Sequence, residues 1–118
     1  MTFTPVNECS AVLDACVLVP ASLCDALLRL AEEPATYRPF WSELIMEEMA
    51  RALETKLRRT KAESAYRRQQ MNKAFPEAMV AVPAELSKAI HCIPDNSDRH
   101  VLATAIVARA DVIVTLAG

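Results

Sequence analysis

A single glycine in 118 residues, placed at the very last position, is the feature that most constrains this chain. Average usage of about 7% would supply roughly eight. Glycine lets a backbone approach a phosphate closely and take left-handed turns. The Walker loop and the dinucleotide fingerprint, each built on several glycines, are therefore excluded. Phosphate chemistry in such a chain has to use metal ions, cationic side chains or helix N-termini. The rest of the composition, 53% hydrophobic and 24% charged, is that of a globular domain and not of a disordered tail or a fibre. At this length one domain covering 1–118 is the expectation.

The four cysteines, Cys9, Cys16, Cys24 and Cys92, form no CxxC pair and no disulfide framework. His91 and Cys92 are adjacent, and adjacent residues rarely reach one ion together, so free thiols are expected in place of zinc ligands. Met1 to Ser10 carry neither the basic start nor the apolar core of a signal peptide. No apolar run approaches the roughly 18 residues that span a bilayer. These features point to a cytoplasmic protein without a membrane partner.

Strand and helix patterns alternate along the chain. Ala11-Val12-Leu13 reads as a strand ending at Asp14, and Pro20 opens a helix that runs to about Glu33. Tyr37 to Trp41 is a second strand candidate, and Ser42 an N-cap for a helix to about Leu57. A helix over Lys61 to Phe75 ends at Pro76, and Ala78 to Val82 reads as a third strand. A short helix from Glu85 to His91 follows, then a Pro94-Asp95-Asn96-Ser97 turn that caps a helix from Asp98 to about Ala110, and a last strand at Val112 to Thr115. Strands separated by helices imply α/β architecture with a parallel sheet covered on both faces.

Charge is divided unevenly. Between Arg51 and Lys73 lie eight basic and two acidic residues, a balance of +6 against −8 for the remainder. A basic arm on an acidic body suits a nuclease whose cations grip a phosphate backbone while carboxylates grip metal. The same run also fits a solvated helical hairpin whose charges serve solubility.

In parallel sheets, sites form at the carboxyl ends of the strands, where Asp14 lies. On the helix after Ser42, Ile45, Met49, Ala52 and Leu53 share one stripe, and Glu48 falls about 60° from its centre at Ile45. Glu43, Glu47 and Glu54 fall on the opposite, solvated side. A carboxylate at an apolar edge is costly unless it is paired or bound to a cation, although Glu48 can also curl outward. On the last helix Asp98 shares a stripe with Val101, Leu102 and Ala105, whereas His100 lies about 200° away and reads as a surface residue. Asp98 also suits the helix dipole, and Asp95 is either that helix's cap or a supporting acid. Asp111 precedes its strand, at the far end of the sheet from Asp14, and reads as structural. Three inward acids on one sheet would repel one another, which a hard divalent cation such as Mg²⁺ or Mn²⁺ resolves.

Taken in order, these segments resemble a family. Val12-Leu13-Asp14-Ala15-Cys16-Val17-Leu18-Val19-Pro20 resembles the opening of a PIN domain, whose first metal-binding aspartate ends the first strand. Trp41-Ser42-Glu43-Leu44-Ile45-Met46-Glu47-Glu48 is similar to the segment that carries the family glutamate, here Glu48. Ile93 to Ala103 resembles the third acidic motif, with Asp98 as the family aspartate and Asp95 as an accessory acid. Ala110 to Thr115 is similar to the strand before the fourth motif.

The resemblance implies a three-layer α/β/α sandwich around a central parallel sheet. It also implies a metal-dependent endoribonuclease that hydrolyses RNA phosphodiester bonds. Many small bacterial members are toxins held inactive by an antitoxin protein, and often they are homo-oligomers. Asp14, Glu48 and Asp98 would then be the catalytic acids, holding Mg²⁺ (or Mn²⁺) with Asp95 assisting. Arg51, Arg58, Arg59, Arg67 and Arg68 are the candidate RNA contacts. The sequence departs from the family pattern after Thr115, where an Asn and a fourth acid are usual and Gly118 is the last residue. The expectation is a PIN-like domain lacking the usual C-terminal end, with a second ion weakly held and an open sheet edge that favours oligomers. The alternative is a catalytically impaired PIN-like module that binds RNA or a protein partner.

Overall fold

The computed structural model describes residues 9–32, 37–90 and 96–116, without the side chains of residues 96–98. The elements are β1 (Cys9–Leu13), α1 (Ala15–Leu18), α2 (Ala21–Glu32), β2 (Tyr37–Ser42), α3 (Glu43–Thr55), α4 (Lys61–Ala74), β3 (Met79–Val80), α5 (Ala84–Ala89), α6 (Asn96–Ala108) and β4 (Val112–Val114). The sheet has the order β3-β2-β1-β4, and every pairing is parallel. Helices flank this sheet, giving the α/β sandwich that the alternating pattern implies. α6 packs against all four strands, while α2 and α3 pack on β2.

The order places β1 in the interior. From β1 the chain steps outward to β2 and β3, and β4 returns to the other side of β1. That reversal makes the seam between β1 and β4 a topological switch point, and sites in such sheets form beyond the carboxyl ends of the strands. Val12 and Leu13 are wholly buried, as a strand covered on both faces requires. Trp41, Ile45, Met46 and Met49 complete the core from β2 and α3.

Local signals fix the element ends. Ser42 Oγ accepts the Ile45 N–H at 3.2 Å, capping α3. Thr60 and Glu63 form a reciprocal capping box on α4. Its backbone hydrogen bond from Thr60 holds the Glu63 carboxyl below the usual carboxylate range. Trp41 Nε1 donates to Asn72 Oδ1 at 2.9 Å, and its ring meets Phe75 edge-on at 6.1 Å, which anchors α4 to the sheet. Tyr37 donates to the Leu27 carbonyl at 2.7 Å, and burial pushes its hydroxyl up to about 12.

Two helix ends show what the lack of glycine demands. Arg58, after α3, and Arg109, after α6, both have φ of 55°. After α6 the Ala110 N–H reaches the Ala105 carbonyl at 3.0 Å, the six-to-one bond of a Schellman end, while after α3 the Arg59 N–H reaches one residue further back, to the Leu53 carbonyl at 2.9 Å. Left-handed positions that glycine usually fills are occupied here by arginine, at a cost of about 1–2 kcal/mol each.

The third strand is shorter than the sequence suggests. Ala78 to Val82 reads as five strand residues, yet only Met79 and Val80 pair, opposite Trp41 and Ser42. β2 ends at Ser42 because α3 begins there, so no backbone remains for residues 81 and 82 to pair with. Of the turn expected over Pro94 to Ser97, residues 94 and 95 lie outside the described residues, and Asn96 and Ser97 already belong to α6, which begins two residues before Asp98. Among the described residues, no helix is long and apolar enough to cross a membrane.

Candidate functional site

Asp14 stands at the switch point, and its backbone continues the ladder by donating its N–H to the Val114 carbonyl at 3.0 Å. Its side chain does two things. Oδ1 accepts the Ala15 N–H at 2.7 Å, capping the short helix α1, and Oδ2 accepts the Thr115 hydroxyl at 3.0 Å from the end of β4. Cys16 Sγ lies 3.8 Å from Oδ2 and 3.2 Å from Thr115 Oγ1, and it accepts the Leu116 N–H at 3.2 Å. One carboxylate thus ties together the carboxyl ends of two strands.

Glu48 lies one turn into α3 and is half-buried. It shares with Asp14 a cleft of about 370 Å³, lined also by Ala15, Cys16, Val19, Pro20, Ala52 and Lys56. The structure therefore brings together two of the three acids singled out in the sequence. The third, Asp98, sits in the first turn of α6 with its side chain outside the described residues, and Asp95, His91 and Cys92 lie outside them altogether. Among the described residues, no group of three or more His, Cys, Asp or Glu side chains is close enough to hold an ion.

His100 requires a correction. Expected at the surface, it is 7% exposed, and its Nε2 lies 2.9 Å from Glu48 Oε2. The buried line of α6 runs through His100, Val101 and Thr104, with Thr104 Oγ1 donating to the His100 carbonyl at 2.8 Å. Ile106 and Val107 are exposed instead. α6 is apolar around most of its circumference, so periodicity alone offers no unique inner face.

Asp111 is structural, as its position implies. Its Oδ2 accepts the Ser10 N–H at 2.8 Å and the Ser10 hydroxyl at 3.3 Å, and its own N–H donates to the Ser10 carbonyl at 2.8 Å. Glu54, expected in solvent, instead accepts the Ser64 hydroxyl at 2.6 Å and joins α3 to α4. Cys24 is a buried free thiol, and burial pushes its pKa up.

The basic run separates into two kinds of residue. Arg67 donates to the Leu18 and Val19 carbonyls at 2.6 and 3.0 Å, and Arg68 pairs with Glu43. Arg51, Arg58 and Arg59 are exposed on α3 and in the turn after it. A second hollow of about 500 Å³ beside this hairpin is lined by Leu53, Arg59, Tyr66, Arg67 and Gln70, with Tyr66 exposed. Sequence reasoning passed over His100, Thr115 and Lys56 as site residues. The His100 and Thr104 pair, four apart in an apolar helix, was the one available signal of a polar inner line.

The oxygen donors of the cleft are two carboxylates, one of them with the Thr115 hydroxyl oriented on it, while the Cys16 thiol that lines the same cleft accepts the Leu116 N–H. Each carboxylate has about four lone-pair directions, and those of Asp14 are only partly used by Ala15 and Thr115. Such oxygens fit Mg²⁺ or Mn²⁺ better than a soft metal. A family model for the PIN domain matches residues 10–116. No curated protein matches the chain.

Proposed function

The chain belongs to the PIN domain family, whose fold is of the nuclease type and whose members typically use divalent metal ions, and from that premise we propose that it is an Mg²⁺- or Mn²⁺-dependent endoribonuclease. One observation carries the reading. Asp14 and Glu48, from different elements, line one cleft between α1 and α3, beyond the carboxyl ends of β1 and β2. Asp14, Glu48 and Asp98 would hold the ion, with Asp95 in support. The bound ion supplies Lewis acidity and a more acidic water.

The protein's own part is positioning. α1 and Thr115 fix the Asp14 carboxylate, so that its orientation is set before substrate arrives. Lys56, on the rim of the same cleft, offers an ammonium to a phosphate entering there. Arg51, Arg58 and Arg59 extend that positive surface along the hairpin and would hold the RNA backbone without reading its sequence. Arg67 and Arg68, each engaged within the fold, would contribute mainly by shaping that surface.

We place this activity in the cytoplasm, as the toxin of a toxin–antitoxin pair. A protein partner or a second copy would meet the molecule at the β4 edge, where Ile106, Val107, Val112, Ile113 and Leu116 are exposed. A monomer by sedimentation at micromolar concentration would remove the second copy. The toxin role predicts growth arrest on expression, abolished by Asp14→Asn.

The main test is cleavage of single-stranded and structured RNA with Mg²⁺ or Mn²⁺, beside EDTA and Asp14→Asn controls. Cutting lost in both controls is the expected result; cutting that survives Asp14→Asn would sink the assignment. RNA bound but never cut would favour a binding module without turnover. That second reading draws on the presence of only two carboxylates in the cleft among the described residues.

A further inference from the structure

We propose that His100 is a positioning residue for Glu48, holding one carboxylate oxygen so that the other is presented to a divalent cation in the cleft. The inference rests on the metal-dependent reading above and adds to it a residue outside the acidic set. Its basis is geometric. His100 Nε2 and Glu48 Oε2 lie 2.9 Å apart, joining α6 to α3 across 52 positions of sequence. The imidazole is buried, with its side chain 9% exposed, and Glu48 is more open at 30%, on the wall of the cleft. The ring therefore approaches Glu48 from the protein side and leaves the solvent side of the carboxylate clear.

The direction of the hydrogen bond follows from the partners. An ionised carboxylate only accepts, so the proton of this bond is on Nε2. The other ring nitrogen, Nδ1, is buried and has no hydrogen-bond partner among the described residues. A ring that carried its proton on Nδ1 would leave that N–H unsatisfied and set two acceptors against each other at Nε2. The Nε2–H form avoids both faults.

Thr104 fixes the backbone beneath the ring through its 2.8 Å bond to the His100 carbonyl, and Thr104 is itself wholly buried. The chain Thr104, His100, Glu48 is thus anchored in the core and ends at the cleft. A long glutamate on an exposed helix face samples many rotamers; one whose Oε2 is held by a buried ring samples few. Outer-shell bonds of this kind typically change metal affinity about 10–100-fold.

The test is Mn²⁺ uptake by the full chain, read from the electron paramagnetic resonance of free and bound ion, for wild type, Asp14→Asn, His100→Met and His100→Gln. Gln and Met have similar length and bulk, but only Gln keeps a donor near the place of Nε2. His100→Met should weaken Mn²⁺ binding about 10–100-fold, and His100→Gln should restore most of it. Equal affinity of His100→Met and wild type would overturn the proposal, as would equal weakening by both substitutions.

A second readout on wild type needs no variant to fold. Electron spin echo modulation of bound Mn²⁺ should show no directly bound ¹⁴N. A strong ¹⁴N coupling would make His100 a ligand and overturn its positioning role. The failures are separable. Wild type that takes up no Mn²⁺, or takes it up unaffected by Asp14→Asn, removes the metal reading and this inference with it. Normal uptake that is lost in Asp14→Asn but indifferent to His100 removes this inference alone.

Discussion

The two ends of the β1–β4 pairing carry the same two kinds of side chain and use them differently. At the amino end Asp111 meets the Ser10 hydroxyl, and at the carboxyl end Asp14 meets the Thr115 hydroxyl. Around Asp111 the partners are reciprocal: the backbone N–H of each residue reaches an oxygen of the other. The pair is closed upon itself and splices two strands. Asp14 caps a helix and accepts one hydroxyl, yet it also lines a cleft with a second acid and a lysine. An aspartate–hydroxyl pair is therefore not in itself a site. What distinguishes the two ends is the cleft between α1 and α3, which opens beyond the carboxyl end of β1 and is lined by Asp14 and not by Asp111.

The sharpest way to break this comparison is to neutralise each aspartate in turn. Asparagine keeps the cap on α1, since its amide oxygen still accepts the Ala15 N–H, so Asp14→Asn should melt close to wild type. Loss of a cation ligand removes several kcal/mol of transition-state stabilisation, and metal-dependent cleavage should fall on the order of 10³-fold or more. Asp111→Asn should leave cleavage per folded molecule unchanged. Parallel losses in the two variants would mean that the ends are not functionally distinct.

Removing the hydroxyls sharpens the contrast with a smaller effect. Thr115→Val keeps shape but frees Asp14 Oδ2, and Mn²⁺ should bind about 10–100-fold more weakly with little change in melting. The matched Ser10→Ala should leave Mn²⁺ uptake untouched. Next in size is Asp111→Ala, which strips the Ser10 N–H of its 2.8 Å acceptor. Stability should drop by about 1–3 kcal/mol in urea titration, with activity of the folded fraction preserved.

How much of this was legible in the sequence depends on whether polar residues marked the outside of each element. On α3, Glu43, Glu47 and Arg51 flag the solvent face, so the spacing puts Ile45 and Met49 inside and Glu48 at the edge, where the structure has them. On α6, Val101, Leu102, Ala103, Ala105, Ile106 and Val107 surround the axis, and the inner face is decided by contact with the sheet and not by periodicity. For that reason the spacing puts His100 outside while the structure buries it. Asp14 could be read because a strand's end is a local property. Its bond to Thr115, some hundred residues away, could not, because it depends on β4 pairing beside β1. The scarcity of glycine was legible at once, but its structural consequence, arginines at φ of 55° after α3 and α6, emerged only with the backbone.

The smallest expected effect concerns how far the functional end extends along α3. Arg51 is exposed on the helix that carries Glu48, and it lies outside the group that lines the cleft. If its task is to hold the RNA backbone, Arg51→Ala should weaken single-stranded RNA binding only a few-fold, about equally for all sequences. The slope of log affinity against log salt should flatten by about 0.7, the value for one phosphate contact on a single strand. Arg67 is a poor probe of the same question, because its removal also deprives the Leu18 and Val19 carbonyls of their donor and loosens the end of α1. A flattened slope in Arg51→Ala with unchanged Mn²⁺ uptake would separate the grip on the backbone from the chemistry in the cleft. An unchanged slope would confine the functional end to the cleft itself and return the exposed arginines of the hairpin to the role of a solvated surface.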